Sequence, residues 1–237
     1  MTDRVAVISC DTDWAEEETL WETHDLLCSL GRPITYFVTR RYGFEDAAPA
    51  VPLEIGPHPS FEVGEPELSL RASMAFSPGA VSFRAHALYY SSRLRPLLRE
   101  QGIRYSSSAM MYLQPGLRTY EIGYQLTEVP LFWMDSFHLE YCELAGRSAH
   151  QLPAAELSQP GLKVLAVHPV HLALNTESRE HYRRARHLYH DPAGLRREQC
   201  RGPGMRDLFL EIVAELERLE YRFVLVRDAA AALAGAS

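Results

Sequence analysis

Short apolar runs alternate with segments of helical spacing along most of this chain. The first run, residues 4–10, is rich in β-branched side chains and is typical of a strand buried on both faces. Residues 15–30 carry apolar side chains at helical spacing after an acidic first turn, and Gly31 follows them, which predicts a helix. The other apolar runs predict strands at residues 34–39, 51–56, 80–83, 103–105, 126–133, 162–167 and 221–226.

Two further helices continue this alternation. The clearest amphipathic pattern covers residues 205–219, and a shorter helix is expected within residues 91–101. Strands that alternate with helices and read as continuous apolar runs indicate an α/β fold with a mainly parallel sheet. Seven or eight strands favour an irregular (β/α) barrel. No linker, repeat or low-complexity segment interrupts the chain, so we expect a single domain over residues 1–237.

Charged or imidazole side chains directly follow five of the predicted strands. They are Asp11 and Asp13, His58, Arg84 and His86, Asp135, and His168. In a parallel barrel the carboxyl ends of the strands meet at one face, where barrel enzymes place their active sites. The pattern therefore predicts that these residues, which lie far apart along the chain, share one cleft.

Two aspartates separated by one residue can divide the work of a hydrolytic site. One carboxylate binds a cation, while the other accepts a proton from the water that the cation activates. With histidines at the same face, the residue types match a zinc site that has three protein ligands and one open position. The alternative for Asp13, or for Thr12, is that it only caps the following helix.

The order of these segments resembles the polysaccharide deacetylase family, also called the NodB-homology family or carbohydrate esterase family 4. The resemblance runs over nearly the whole chain and rests on ISCDTDW (8–14), EIGPHPSF (54–61), residues 82–108, VPLFWMD (129–135) and VLAVHPVHL (164–172). It implies a distorted, TIM-like (β/α) barrel of about seven strands. It also implies metal-assisted hydrolysis that removes acyl groups from amino sugars.

The resemblance assigns catalytic roles to four residues. Asp11 matches the family's catalytic base, and Arg84 matches the arginine that orients this base. His168 matches the histidine that protonates the leaving amine, and Asp135 lies near the motif whose aspartate tunes that histidine. The matches imply that a base and an acid lie in the same cleft.

The same resemblance assigns Asp13 and His58 as ligands of a divalent metal, which we expect to be zinc. The family has a second metal histidine four residues after the first, where this chain has Glu62, and its Arg-x-Pro-Tyr motif reads RAHA at residues 84–87. We expect His86 to supply the third ligand, because an imidazole suits zinc. Glu62 is the main competitor, and a site without metal is the remaining alternative.

Charge is distributed unevenly along the chain. The net charge of −7 argues against a nucleic-acid partner, for which a basic surface would be the first sign. Residues 176–206, however, carry eight arginines against four acidic residues, a local charge of +4. This stretch is long for a barrel connection and predicts a lid that would suit a phosphate-bearing substrate. A helix with its charges in water is the alternative.

The first apolar run is too short for a signal peptide or a membrane span, because two aspartates end it. Four dispersed cysteines without a CxxC pair do not indicate a disulfide framework. We therefore expect a cytoplasmic hydrolase that removes an N-acyl group, in the first instance acetyl, from a small molecule that contains an amino sugar. A metal-free hydrolase of another C–N bond and a non-catalytic carbohydrate-binding protein are the alternatives.

Overall fold

The computed structural model describes residues 4–43, 50–62, 64–89 and 91–234. Its strands are β1 (Arg4–Asp11), β2 (Ile34–Val38), β3 (Leu53–Pro57), β4 (Ser82–Phe83), β5 (Tyr105–Ser106), β6 (Tyr120–Glu121), β7 (Thr127–Glu128), β8 (Leu131–Met134), β9 (Gly161–Val167) and β10 (Arg222–Phe223). Its helices are α1 (Glu17–Ser29), α2 (Pro66–Met74), α3 (Leu94–Glu100), α4 (Asp135–Leu144), α5 (Ala154–Ser158), α6 (Pro169–Leu174), α7 (Arg179–Ala185), α8 (Pro192–Arg197), α9 (Met205–Arg218) and α10 (Ala229–Ala234).

A parallel sheet in the order β3-β2-β1-β9-β8 forms the larger part of the barrel wall. Strand β1 lies at its centre, with all but its first residue buried. Strand β10 pairs with the beginning of β1, whereas β2 pairs with its end, so one edge of β1 is shared by two strands. This shared edge makes the wall irregular.

A smaller sheet in the order β4-β5-β7-β6 completes the wall. It joins the larger sheet at β3, where the Arg84 N–H donates to the Pro57 carbonyl at 3.3 Å. It joins again at the other side, where Met110 forms a parallel bridge with Leu131 at the start of β8. The two sheets therefore enclose a distorted α/β barrel, and the predicted fold class is confirmed.

Helices pack around the outside of this wall. The longest, α9, buries an apolar stripe against the barrel, formed by Met205, Leu208, Phe209, Ile212, Val213 and Leu216. Such a stripe, repeated every three to four residues, is what an amphipathic surface helix requires. None of the helices in the described parts of the chain combines the length and the apolar composition needed to cross a membrane.

Several predicted helices and strands are present in the structure, but their first and last residues differ from those predicted. The helix expected at residues 205–219 is α9, and the one expected at 15–30 is α1. The single strand expected at 126–133 is divided into β7 and β8, which flank Pro130. Proline has no N–H to donate to a strand pair, so it interrupts the ladder there.

Candidate active site

The carboxyl ends of the parallel strands converge on one cleft of about 200 Å³. All seven site residues predicted from the sequence lie at this face. Five line the cleft, namely Asp11, Asp13, His58, His86 and His168. The other two, Arg84 and Asp135, are fully buried behind it and contact the lining residues. The barrel therefore brings these residues, which are distant along the chain, to one cleft, as expected from the sequence.

Three of these residues form a compact cluster of metal-ligand type. The side-chain ligand atoms of Asp13, His58 and His86 all lie within 4.8 Å of one another. Oδ1 of Asp13 is 3.3 Å from Nε2 of His58 and 3.1 Å from Nδ1 of His86. Glu62, the competitor for the third position, is exposed and is not a member of this cluster.

The backbone around the cluster orients its side chains. Nδ1 of His58 lies 2.9 Å from the Arg84 carbonyl and donates to it, so Nε2 is the ring nitrogen that faces Asp13. Asp13 has a φ of +43°, a left-handed conformation that aspartate tolerates, and the Thr39 hydroxyl donates to its carbonyl oxygen. The Trp14 ring stands edge-on to His86 at 4.8 Å between centroids. Each ligand candidate is thus held by a contact outside the cluster.

Electrostatics in the cluster favour an ionised carboxylate. Burial raises the pKa of Asp13, but the charge of His168 and the hydrogen bonds from His58 and His86 outweigh this effect and hold the pKa far below its usual value. The hydrogen bond to Asp13 raises the pKa of His86, while burial acts in the opposite direction. Asp13 is therefore ionised at neutral pH and is able to bind a cation.

A buried ion pair lies beside the cluster. Arg84 is fully buried, and its Nη1 donates to Oδ1 of Asp11 at 2.7 Å. The same guanidinium donates to the Ser9 hydroxyl at 2.9 Å and to the Ser107 carbonyl at 2.7 Å, and it stacks over the Phe37 ring at 4.4 Å. A guanidinium fixed at this many points holds its carboxylate partner in one position.

An imidazole and a carboxylate face the cleft from the opposite side. Asp135, the first residue of α4, accepts two hydrogen bonds from His168: one from Nδ1 at 2.6 Å and one from the backbone N–H at 2.7 Å. Nε2 of His168 points into the cleft, 3.9 Å from carboxylate oxygens of Asp11 and Asp13. Burial lowers the pKa of His168, but the three carboxylates outweigh burial and raise it to about 10. His168 is consequently a protonated imidazole that can donate.

Two residues of the cleft wall with ring side chains, His171 and Tyr182, were not predicted as site residues. His171 is buried edge-on to His168 with 5.9 Å between ring centroids, and burial lowers its pKa to about 4. The sequence analysis did not include His171 among the site residues, although it lies only three residues after His168. Tyr182 of α7 also lines the cleft, 4.9 Å from the His171 ring. No motif marks Tyr182, because only the folding of α7 onto the barrel brings it there.

Together these groups provide a carboxylate paired with an arginine, an imidazolium paired with a carboxylate, and a mixed carboxylate and imidazole cluster at the same cleft. Such a set can activate water, attack a carbonyl carbon and protonate a leaving nitrogen. No organic cofactor is required for that sequence of proton transfers. The arrangement is therefore one that is chemically able to hydrolyse an acyl bond.

The family model for WbmS-like polysaccharide deacetylases matches residues 8–186, which include every site residue described above. The chain belongs to this polysaccharide deacetylase family. Its deacetylase resemblance, noted from the motifs, is thereby confirmed. A comparison with curated proteins gives no match.

Solved structures with the same fold include one from Bordetella bronchiseptica, provisionally described as a polysaccharide deacetylase involved in O-antigen biosynthesis. It is 24% identical, with a TM-score of 0.77, and the match covers 90% of this chain and 91% of that one. A family 4 carbohydrate esterase from Bacillus anthracis is 13% identical, covers 98% and 85% of the two chains, and has a TM-score of 0.49. One from Streptomyces lividans, in complex with acetate, is 11% identical, covers 97% of each chain, and has a TM-score of 0.47.

The raised pKa of His168 leads to a prediction about the metal-free protein. The pKa of His168 is about 10 in the folded state and about 6.5 when unfolded. Protonation of His168 therefore stabilises the fold fully below about pH 6.5, and this contribution is lost as the pH rises through about 10. Replacing Asp135 by Asn removes the nearest carboxylate and should lower the pKa of His168. NMR titration of the imidazole resonances measures this pKa in the wild type and in the variant, with His24 as the reference signal. An unchanged pKa in the variant would contradict the assignment.

Proposed function

We propose that this protein is a metal-dependent hydrolase that removes an N-acyl group, in the first instance acetyl, from an amino sugar. The observation that carries the proposal is that the Asp13–His58–His86 cluster, the Asp11–Arg84 pair and the His168–Asp135 pair meet at one cleft. Membership of the polysaccharide deacetylase family supports a deacetylase. The amino-sugar substrate, zinc as the metal and a cytoplasmic location belong to this proposal.

The donor set of the cluster fits zinc. One carboxylate and two imidazoles are ligands that zinc accepts in catalytic sites, where a fourth position stays open for water or substrate. The hydrogen bond from Nδ1 of His58 to a backbone carbonyl is the kind of support that orients a metal-binding imidazole. When bound, zinc lowers the pKa of a bound water towards about 7 and polarises the amide carbonyl.

Asp11 is placed to act as the general base. Its Oδ1 is occupied by Arg84 at 2.7 Å, and its Oδ2 faces the cleft towards His168. The Oδ2 atom is the one left to accept a proton from the attacking water. Arg84 itself does not touch the substrate and acts as a positioning residue.

The turn after β4 supplies a donor for the developing oxyanion. The Leu88 N–H is engaged with the Ala85 carbonyl at 3.1 Å, whereas Ala87 lines the cleft with a left-handed φ of +53°. We assign the Ala87 N–H as the donor to the oxyanion, because a fixed backbone dipole stabilises that charge without reorganisation. His168 then donates its Nε2 proton to the leaving amine nitrogen, and Asp135 stabilises the imidazolium before that step.

Metal content tests the ligand assignment. Untagged protein purified without chelators should carry about one zinc per chain. The His86→Ala variant should lose this zinc, because it removes one of the three ligands. The Glu62→Ala variant should keep it, because Glu62 is exposed outside the cluster. Elemental analysis of the three proteins makes the comparison. No zinc in any sample after soaking, or loss of zinc in Glu62→Ala alone, would refute the assignment.

Release of acetate tests the reaction. The Asp11→Asn variant should lower kcat on N-acetylated amino sugars by about 10²–10⁴-fold, since an amide cannot accept the proton of the attacking water. Zinc content should stay at the wild-type level because Asp11 is not a proposed ligand. Asp25→Asn, an exposed change on α1, is the matched control and should keep wild-type turnover. Wild-type turnover in Asp11→Asn would mean that another group is the base.

A further inference from the structure

The arginine-rich segment, residues 176–206, includes α7, a short 3-10 turn and α8. Half of its arginines form ion pairs with the barrel helices or within the segment itself. The ion pairs within 4 Å join Arg179 to Glu140 and Glu143, Arg183 to Glu143 and Glu180, Arg196 to Glu18 and Glu22, and Arg197 to Asp191. Glu143 lies on α4, whereas Glu18 and Glu22 lie on α1. These arginines therefore hold the segment in place.

Helix α7 forms one wall of the cleft. Tyr182 lines the cleft, and its ring packs 4.9 Å from His171, which stands next to His168. His181 and Ala185 are buried beneath the helix and face the barrel. The cleft side of α7 is therefore the side that carries Tyr182.

Arg186 lies on that same side, and Arg184 does not. Four residues after Tyr182, Arg186 is displaced by only about 40° around the helix axis, whereas Arg184 is displaced by about 200°. Both side chains are exposed. Neither has an ion pair with a carboxylate within the described residues. Arg186 directly follows α7 with a helical backbone (φ −55°, ψ −33°), so it is a cation on the Tyr182 side of the helix, beside the lining of the cleft, whereas Arg184 is an equivalent cation on the far side.

The positive charge of Arg186 acts on Tyr182, which lines the cleft. Burial raises the pKa of Tyr182, whereas the positive charge of Arg186 lowers it. The opposite trend comes from Asp13 and Asp135, whose charges raise the same pKa. Arg186 is therefore the positive charge that acts on Tyr182 against these two carboxylates.

We propose that Arg186 and the Tyr182 hydroxyl form a subsite for an anionic group on the substrate, next to the Asp13–His58–His86 cluster. The substrate is then an acylated amino sugar that carries a phosphate or a carboxylate. The inference rests on the proposed function, since it names the class of substrate for that same site. A guanidinium is suited to it because it donates two parallel hydrogen bonds to either group.

Three sugars distinguish the sources of the negative charge. They are a neutral N-acetylhexosamine, its 1-phosphate and an N-acetylhexosaminuronic acid. For the zinc-loaded protein, the ratio of kcat/KM for a charged sugar over the neutral one measures recognition of the anion. Arg186→Gln should lower this ratio about tenfold for the phosphate, the carboxylate or both, as expected for a lost charge-assisted pair. Arg184→Gln, the matched control, should keep the wild-type ratio.

A binding measurement separates this inference from the proposed chemistry. In the Asp11→Asn background, calorimetric titration with each charged sugar should show about tenfold weaker binding when Arg186→Gln is added, and no weakening with Arg184→Gln. This result would stand even if no sugar were deacetylated. Equal effects of the two arginine variants, no effect of Arg186→Gln, or no binding of either charged sugar would overturn the subsite.

Discussion

The ion pair between Asp11 and Arg84 is the interaction on which the site depends. Arg84 carries a permanent charge in a fully buried position, so its guanidinium must be satisfied inside the protein. Its partners come from β1 and from the segment after β5, and they hold these parts of the wall together at the mouth of the barrel. Removing one partner of such a pair costs about 3–5 kcal/mol, because the other charge stays buried and unpaired. The same contact holds the carboxylate of Asp11, the proposed base, in position.

Two histidines of the cleft differ in role because their Nδ1 atoms meet different partners. Nδ1 of His58 donates to a backbone carbonyl, which leaves Nε2 as the ring nitrogen turned towards Asp13, as a metal ligand requires. Nδ1 of His168 faces the Asp135 carboxylate, which favours the imidazolium, as an acid requires. The Nδ1 partner is a carbonyl for His58 and a carboxylate for His168. This difference suits one imidazole to bind a metal and the other to donate a proton.

Much of the site was predictable, because polar residues directly after apolar runs must meet at one face of a parallel barrel. This rule locates Asp11, His58, Arg84, Asp135 and His168 without any knowledge of the fold's details. His86 required an argument from the altered RAHA motif, and the structure brings it to Asp13. Tyr182 and the cleft side of α7 were not predictable, because they depend on where a long connection packs. The same holds for the arginines at residues 176–206, whose ion pairs with α1 and α4 appear only in three dimensions.

Anomalous diffraction from crystals soaked in zinc is the most direct test of the metal site. We predict one zinc ion at about 2.0–2.2 Å from an Asp13 oxygen, from Nε2 of His58 and from a ring nitrogen of His86, with its fourth position open towards Asp11. A zinc ion held by Glu62 instead of His86 would contradict the ligand assignment. A zinc ion bound only outside the cleft, with the Asp13–His58–His86 cluster empty, would contradict the proposal that this cluster is the metal site of a hydrolase.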